Sequence, residues 1–91
     1  MIKRVKIMLE GLVQGVNMRY NIKQVARDLD LKGYVRNTND GRVEIIVVGS
    51  ENKLEDFFSW LKSGRTPGQI QNIDKKYLEN KKNYQNFKIK Y

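Results

Sequence analysis

Cysteine and histidine are both absent from this chain of 91 residues. Without cysteine the chain has no disulfide framework and no thiolate nucleophile. Without histidine as well, Cys/His zinc sites and Ser-His-Asp triads are excluded, and no imidazole can act as a general base near neutral pH. Catalysis by this chain must therefore rely on carboxylates, amides, hydroxyls, lysine, arginine or backbone N–H groups.

Long hydrophobic runs are missing too, and negative charge is scarce. No stretch approaches the ~18 apolar residues of a membrane span, and Glu10 interrupts the amino-terminal apolar run before a signal-peptide core is complete. Ten acidic residues accompany eighteen lysines and arginines, which gives a formal charge of +8. The length predicts one domain over residues 1–91. Since neither a signal peptide nor a membrane span is indicated, and the absence of cysteine fits a reducing compartment, we expect a soluble, cytoplasmic protein. We also expect it to be a monomer.

The spacing of the apolar residues predicts the secondary structure. Strict alternation indicates strands, and apolar residues three or four apart indicate helices. The predicted strands are 2–10, 34–37, 42–48, 70–77 and 87–91, with a hairpin turn at 38–41 and a loop at 79–83. The first predicted helix starts at Met18, with Asn17 as its expected N-cap and Gly33 as the residue that terminates it; the second runs from Ser50 to Ser63.

This order, β-α-β-β-α-β with a short extra strand at the carboxy terminus, belongs to the α+β class. It is the order of the ferredoxin-like split β-α-β fold. We expect two helices on one face of a mostly antiparallel sheet. The continuous apolar run at residues 45–48 suits a central strand, because on an exposed edge it would invite aggregation.

The connection between the first strand and the first helix is a candidate anion site. Gly11 and Gly15 precede a helix amino terminus, where unpaired N–H groups and the helix dipole attract negative charge. Arg19, in the first helical turn, can bind phosphate in bidentate fashion, and Gly15 permits a close backbone approach. The pattern is not a P-loop, since no Gly-Lys-Ser/Thr follows, and no carboxylates cluster as magnesium ligands. Spacing alone does not separate phosphate binding from a simple turn with a solvent-facing arginine, which glycine loops more often form.

Two longer motifs resemble the signatures of the acylphosphatase family. Residues 9–19 are LEGLVQGVNMR, which is similar to the first signature, G-x-V-Q-G-V-x-[FM]-R. Residues 33–43 are GYVRNTNDGRV, which is similar to the second, G-[YFW]-[AV]-x-N-x-x-x-G-x-V. The turn after the second helix and the closing strand resemble the family too, so the resemblance extends over essentially the whole chain.

The resemblance implies a ferredoxin-like enzyme that hydrolyses the carboxyl–phosphate anhydride of small acyl phosphates without a metal or other cofactor. Arg19 matches the family's phosphate-binding arginine, and Asn37 matches its water-positioning asparagine. Inorganic phosphate is then both product and inhibitor. The implied phosphate-binding residues are Gln14, Gly15, Val16, Asn17, Met18 and Arg19.

Asn37 has two possible roles. An asparagine ahead of a hairpin turn commonly just hydrogen-bonds the local backbone, whereas the family resemblance implies that Asn37 orients the attacking water. It cannot act as a base, because an amide does not accept a proton near neutral pH. The resemblance implies that the proton passes to the substrate's own phosphate.

Two alternatives remain at this point. RNA-recognition domains share the topology and are often basic, and residues 32–34 resemble the start of the RNP1 motif. Residues 35–37 then depart from its aromatic run, and the carboxy-terminal lysines are dispersed among acidic residues. The second alternative is a catalytically silent acylphosphatase-like domain, against which the presence of both Arg19 and Asn37 argues. We therefore expect a small acyl phosphate as partner, and neither nucleic acid nor a membrane.

Overall fold

The computed structural model describes residues 1–79 and 83–91. Every strand and helix that the sequence predicts is present, with its ends shifted slightly. Of the loop predicted at 79–83, residues 80–82 lie outside the described part of the chain. The elements, in chain order, are β1 (Ile2–Leu12), α1 (Met18–Asp28), β2 (Lys32–Asn37), β3 (Val43–Ser50), α2 (Glu51–Lys62), β4 (Gln69–Leu78) and β5 (Phe87–Ile89).

The strands form one sheet in the order β4-β1-β3-β2-β5. Neighbouring strands are antiparallel except β2 and β5, which run parallel. The apolar β3 lies in the centre, as its sequence predicts. The mostly antiparallel sheet, its two helices and its short last strand confirm the ferredoxin-like fold.

The hydrophobic core lies between the helices and one face of the sheet. Because side chains alternate across a strand, alternate residues in the middle of β1 and in the first part of β3 point into it and are fully buried. These pair across the strands as Val5 with Val47, Ile7 with Ile45 and Leu9 with Val43. The helices contribute Met18, Ile22, Ala26, Leu54, Phe57 and Leu61. Trp60 is partly buried and packs at the edge of the core.

The end of α1 differs from the prediction. The helix stops at Asp28, and Asp30 takes the left-handed conformation (φ 58°) that often follows a helix. Gly33 lies inside β2 with φ 132°, where a Cβ would collide with the backbone carbonyl of Ile46. The prediction that Gly33 terminates the helix was therefore wrong: the close approach of β2 to β3 requires this glycine.

We expect Gly33→Ala to lower the free energy of unfolding by about 3 kcal/mol, because the new methyl group overpacks against backbone that cannot move aside. Gly64→Ala is the matched control. Gly64 also has a positive φ (79°), but a Cβ there would meet no atom within 4 Å, so only the backbone strain of about 1–2 kcal/mol applies. Urea unfolding of both variants tests the difference, and equal losses would contradict the steric explanation.

The sheet face away from the helices carries a buried carboxylate. Glu44 is 7% exposed, and it accepts hydrogen bonds of 2.8 Å from both Arg36 Nε and the Tyr34 hydroxyl. Burial opposes ionisation of Glu44, but the bonds from Arg36 and Tyr34 outweigh it and lower the pKa of this carboxyl. Burial and the bond to Glu44 raise the pKa of Tyr34 to about 12. Because the pKa of Glu44 is depressed on folding, its contribution to stability is present at neutral pH and is lost as pH falls through the lowered value.

Candidate active site

The loop from β1 to α1 presents an uncapped helix amino terminus. Asn17 stands at the N-cap position, as predicted, but its side chain makes no capping hydrogen bond. It adopts the left-handed conformation (φ 63°) that asparagine tolerates, and Gly15 does so too (φ 73°). No acidic residue lies in the first turn of α1. The first N–H groups of the helix therefore retain the partial positive charge that attracts an anion.

Arg19 adds a full positive charge in the same turn. Its side chain is half-buried, and within residues 1–79 and 83–91 it forms neither a hydrogen bond nor an ion pair. Its guanidinium carbon lies 5.0 Å from the ring centre of Tyr91, a cation–π contact that uses none of its N–H groups as hydrogen-bond donors to a described oxygen. The donors of Arg19 are thus available for a bidentate contact with an oxyanion.

Asn37 ends β2 on the side of the sheet that the helices cover. It shares this side with the fully buried Val35, two residues before it. The carboxamide oxygen of Asn37 is buried, yet it accepts no hydrogen bond from the described protein groups. Buried acceptors are normally satisfied by protein or water, so this oxygen lacks the donor that a buried acceptor usually has.

The loop is held from two sides. Gln14 Nε2 donates hydrogen bonds of 2.8 Å to the carbonyl oxygens of Thr38 and Arg42, across the β2–β3 hairpin. On the other side Gly68 packs so closely that a Cβ would collide with the Leu12 carbonyl. The conformation of the loop is therefore set by tertiary contacts and not by local turn preferences alone.

A cleft of about 430 Å³ joins these groups. Five predicted site residues line it: Gly15, Asn17, Met18, Arg19 and Asn37. The side chains of Gln14 and Val16 are not part of the lining: Gln14 bonds to the hairpin, and Val16 packs against the core. The cleft is completed by residues that the sequence reasoning did not single out, namely Val13, Tyr20, Lys23, Ile89 and Tyr91.

The additional lining residues differ in whether the sequence alone could have placed them in the cleft. Lys23 follows Arg19 by four positions, so helical spacing alone places the two side chains on one face of α1. Tyr91 has no comparable local signal. It reaches the cleft because β5 pairs in parallel with β2, which a short strand does not reveal.

The part of the chain that the structure describes contains neither a metal-binding cluster of acidic residues nor a helix able to span a membrane. No group of three aspartates or glutamates is arranged to hold a metal ion there. Neither α1 nor α2 has the length and apolar character needed to cross a membrane.

The fold and the cleft define a ferredoxin-like protein with a concave, positively charged site suited to a small oxyanion. The sequence model of the acylphosphatase family matches residues 5–89. An acylphosphatase from Archaeoglobus fulgidus is 43% identical over 86 residues, covering 94% of this chain and 96% of the relative. One from Caldanaerobacter subterraneus is 35% identical over 87 residues, covering 96% and 97%.

A solved structure agrees with these sequence matches. The crystal structure of acylphosphatase from Bacillus subtilis superimposes with a TM-score of 0.91 at 35% identity, and the match covers 100% of both chains. The chain belongs to the acylphosphatase family.

Proposed function

We propose that this chain hydrolyses small acyl phosphates to a carboxylate and inorganic phosphate, and that the cleft between α1 and β2 is its active site. The observation that carries the proposal is the meeting of three groups in one cleft: the uncapped amino terminus of α1, the unpaired guanidinium of Arg19 and the carboxamide of Asn37. In this proposal backbone N–H groups of residues 14–19 and the Arg19 side chain bind the phosphoryl oxygens.

The reaction needs little acid or base assistance. Water attacks phosphorus, the bond from phosphorus to the acyl oxygen breaks, and the bonding pair leaves with the carboxylate, which is a good leaving group. The remaining tasks are positioning and the stabilisation of charge on the phosphoryl oxygens. Asn37 orients the water through its carboxamide, and the water proton passes to the phosphate. A chain without histidine or cysteine can perform each of these steps.

The contacts of Tyr34 argue against the RNA-binding alternative. Tyr34, the aromatic residue of the segment that resembles RNP1, donates its hydroxyl to Glu44, and Lys90 Nζ lies 4.6 Å from its ring centre. Base stacking needs an open aromatic face. These intramolecular contacts favour the enzymatic function over RNA binding by this face.

The direct test is turnover of benzoyl phosphate by the purified chain with EDTA present. We expect hydrolysis well above the buffer rate, because the proposed site uses no metal. Between about pH 5 and 8 any inflection in the rate should follow the substrate's phosphate, since the chain has no imidazole or thiol. Absence of turnover, or activity that disappears with EDTA, would contradict the proposal.

The composition and the cleft also bear on the oligomeric state, the cellular location and inhibition by the product. We infer that the chain acts as a monomer, because the groups of the proposed site all come from one chain. We infer a cytoplasmic location from a composition that suits a reducing compartment. Inorganic phosphate, as the product, should compete with substrate for the loop and Arg19.

A further inference from the structure

A second cation lies in the cleft, and the proposed hydrolysis does not use it. Lys23 follows Arg19 by four residues on α1, so both side chains lie on the same helix face. Both line the cleft. Their backbone positions are one helical turn apart along the axis, a rise of about 6 Å, so the backbone of Lys23 lies one turn further than that of Arg19 from the helix terminus at which the phosphoryl group is proposed to bind.

The charge of Lys23 is available to a ligand. The side chain is half-buried, and its Nζ lies 5.3 Å from the ring centre of Tyr20, which also lines the cleft. Lys23 forms no ion pair with the residues that the structure describes, and the lining of the cleft contains no aspartate or glutamate. The site thus holds two positive side chains, of which the phosphoryl group engages one.

We propose that Lys23 binds a carboxylate on the acyl group, so that the preferred substrates are acyl phosphates with a second, anionic end. This inference rests on the proposed function. A monoanion matches the single remaining ammonium group, and the backbone separation of one helical turn from Arg19 is comparable with the length of a short acyl chain or one aromatic ring. Tyr20 supplies an apolar surface beside Lys23 on which the carbon part of such a substrate can lie.

In this proposal Lys23 affects how tightly the substrate binds. Its contact is remote from the reacting phosphorus, so it stabilises substrate and transition state equally and changes KM rather than kcat. An ion pair in a cleft open to solvent gives up to about a fivefold effect, which salt should weaken.

The test compares 4-carboxybenzoyl phosphate with 4-methylbenzoyl phosphate, two rigid substrates that differ in the charge at the far end. For the unchanged chain we expect kcat/KM to be about threefold to fivefold higher for the carboxylate, with the difference in KM. Lys23→Gln should bring the kcat/KM values of the two substrates to within about a factor of two of each other, and Lys23→Arg should retain the preference. Lys53→Gln is the control of equal charge, because Lys53 is exposed at the start of α2 and outside the cleft.

The outcomes separate this inference from the proposed function. If the unchanged chain hydrolyses both substrates with equal KM, or Lys23→Gln keeps the preference, the role of Lys23 is overturned while the hydrolytic activity stands. A preference lost equally in the Lys53 variant would also overturn it, by showing that net charge alone is responsible. If neither substrate is hydrolysed and benzoyl phosphate is not either, the proposed function itself fails.

Discussion

Arg19→Ala is expected to lower kcat/KM for benzoyl phosphate by about 10³-fold or more, because removing a single transition-state donor commonly reduces rates by 10²–10³ and Arg19 offers a charged pair of donors. The guanidinium forms no hydrogen bond or ion pair with the described residues, and its cation–π contact is with exposed Tyr91. The fold should therefore persist. Steady-state kinetics gives the activity, and urea unfolding the stability.

Arg65→Ala is the matched control for this loss. Arg65 is exposed in the turn after α2 and is not part of the cleft, so its removal changes the net charge equally without touching the proposed site. Arg19→Lys should recover only part of the rate, because lysine supplies the charge without the planar pair of donors. A variant Arg19→Ala that is folded and retains most of the activity would exclude phosphate binding by this arginine.

Asn37→Ala is expected to reduce kcat by about 10²-fold, the scale of loss when a reacting group is no longer held in position. Inhibition by inorganic phosphate should change little, because in the proposed site Asn37 contacts the attacking water and the loop binds the phosphate. Its carboxamide makes no hydrogen bond within the described residues, so the substitution should leave the stability nearly unchanged. Turnover and the inhibition constant for phosphate, measured side by side, separate the two roles.

Asn39→Ala provides the comparison within the same hairpin. Asn39 is exposed in the turn, outside the cleft, and its replacement should leave both quantities unaltered. An equal loss of turnover and of phosphate inhibition in Asn37→Ala would instead assign Asn37 to phosphate binding or to the shape of the hairpin.

Most of the fold could be predicted from local sequence patterns. Period-2 runs such as Val5, Ile7 and Leu9 must place their apolar side chains on one face, and the apolar run in β3 requires neighbours on both sides. These patterns arise from hydrophobic burial. Because the tendency of a residue to be buried depends on the polarity of its side chain, it can be read directly from the sequence. The element order then permits few topologies.

Other features depend on tertiary contacts and have no local signal. Gly33 follows a helix and is typical of a helix terminus, but its real constraint comes from the backbone of Ile46 in another strand. The lining of the cleft by Tyr91 depends on the pairing of β5 with β2. Motif matching located Arg19 and Asn37 without showing that Arg19 is unpaired or that the Asn37 oxygen lacks a donor, since both are properties of the packed molecule.

The two hydrogen bonds of the Gln14 amide couple the β1–α1 loop to the β2–β3 hairpin. Because one amide group bonds to both ends of the hairpin turn, at Thr38 and Arg42, the loop and the hairpin share their stabilising contacts. Local unfolding of the hairpin would also release the loop, so these two segments form one cooperative unit. These two bonds thus hold the two walls of the cleft together, and we expect them to maintain the separation between the proposed phosphate-binding and water-positioning groups without a rigid connection along the chain.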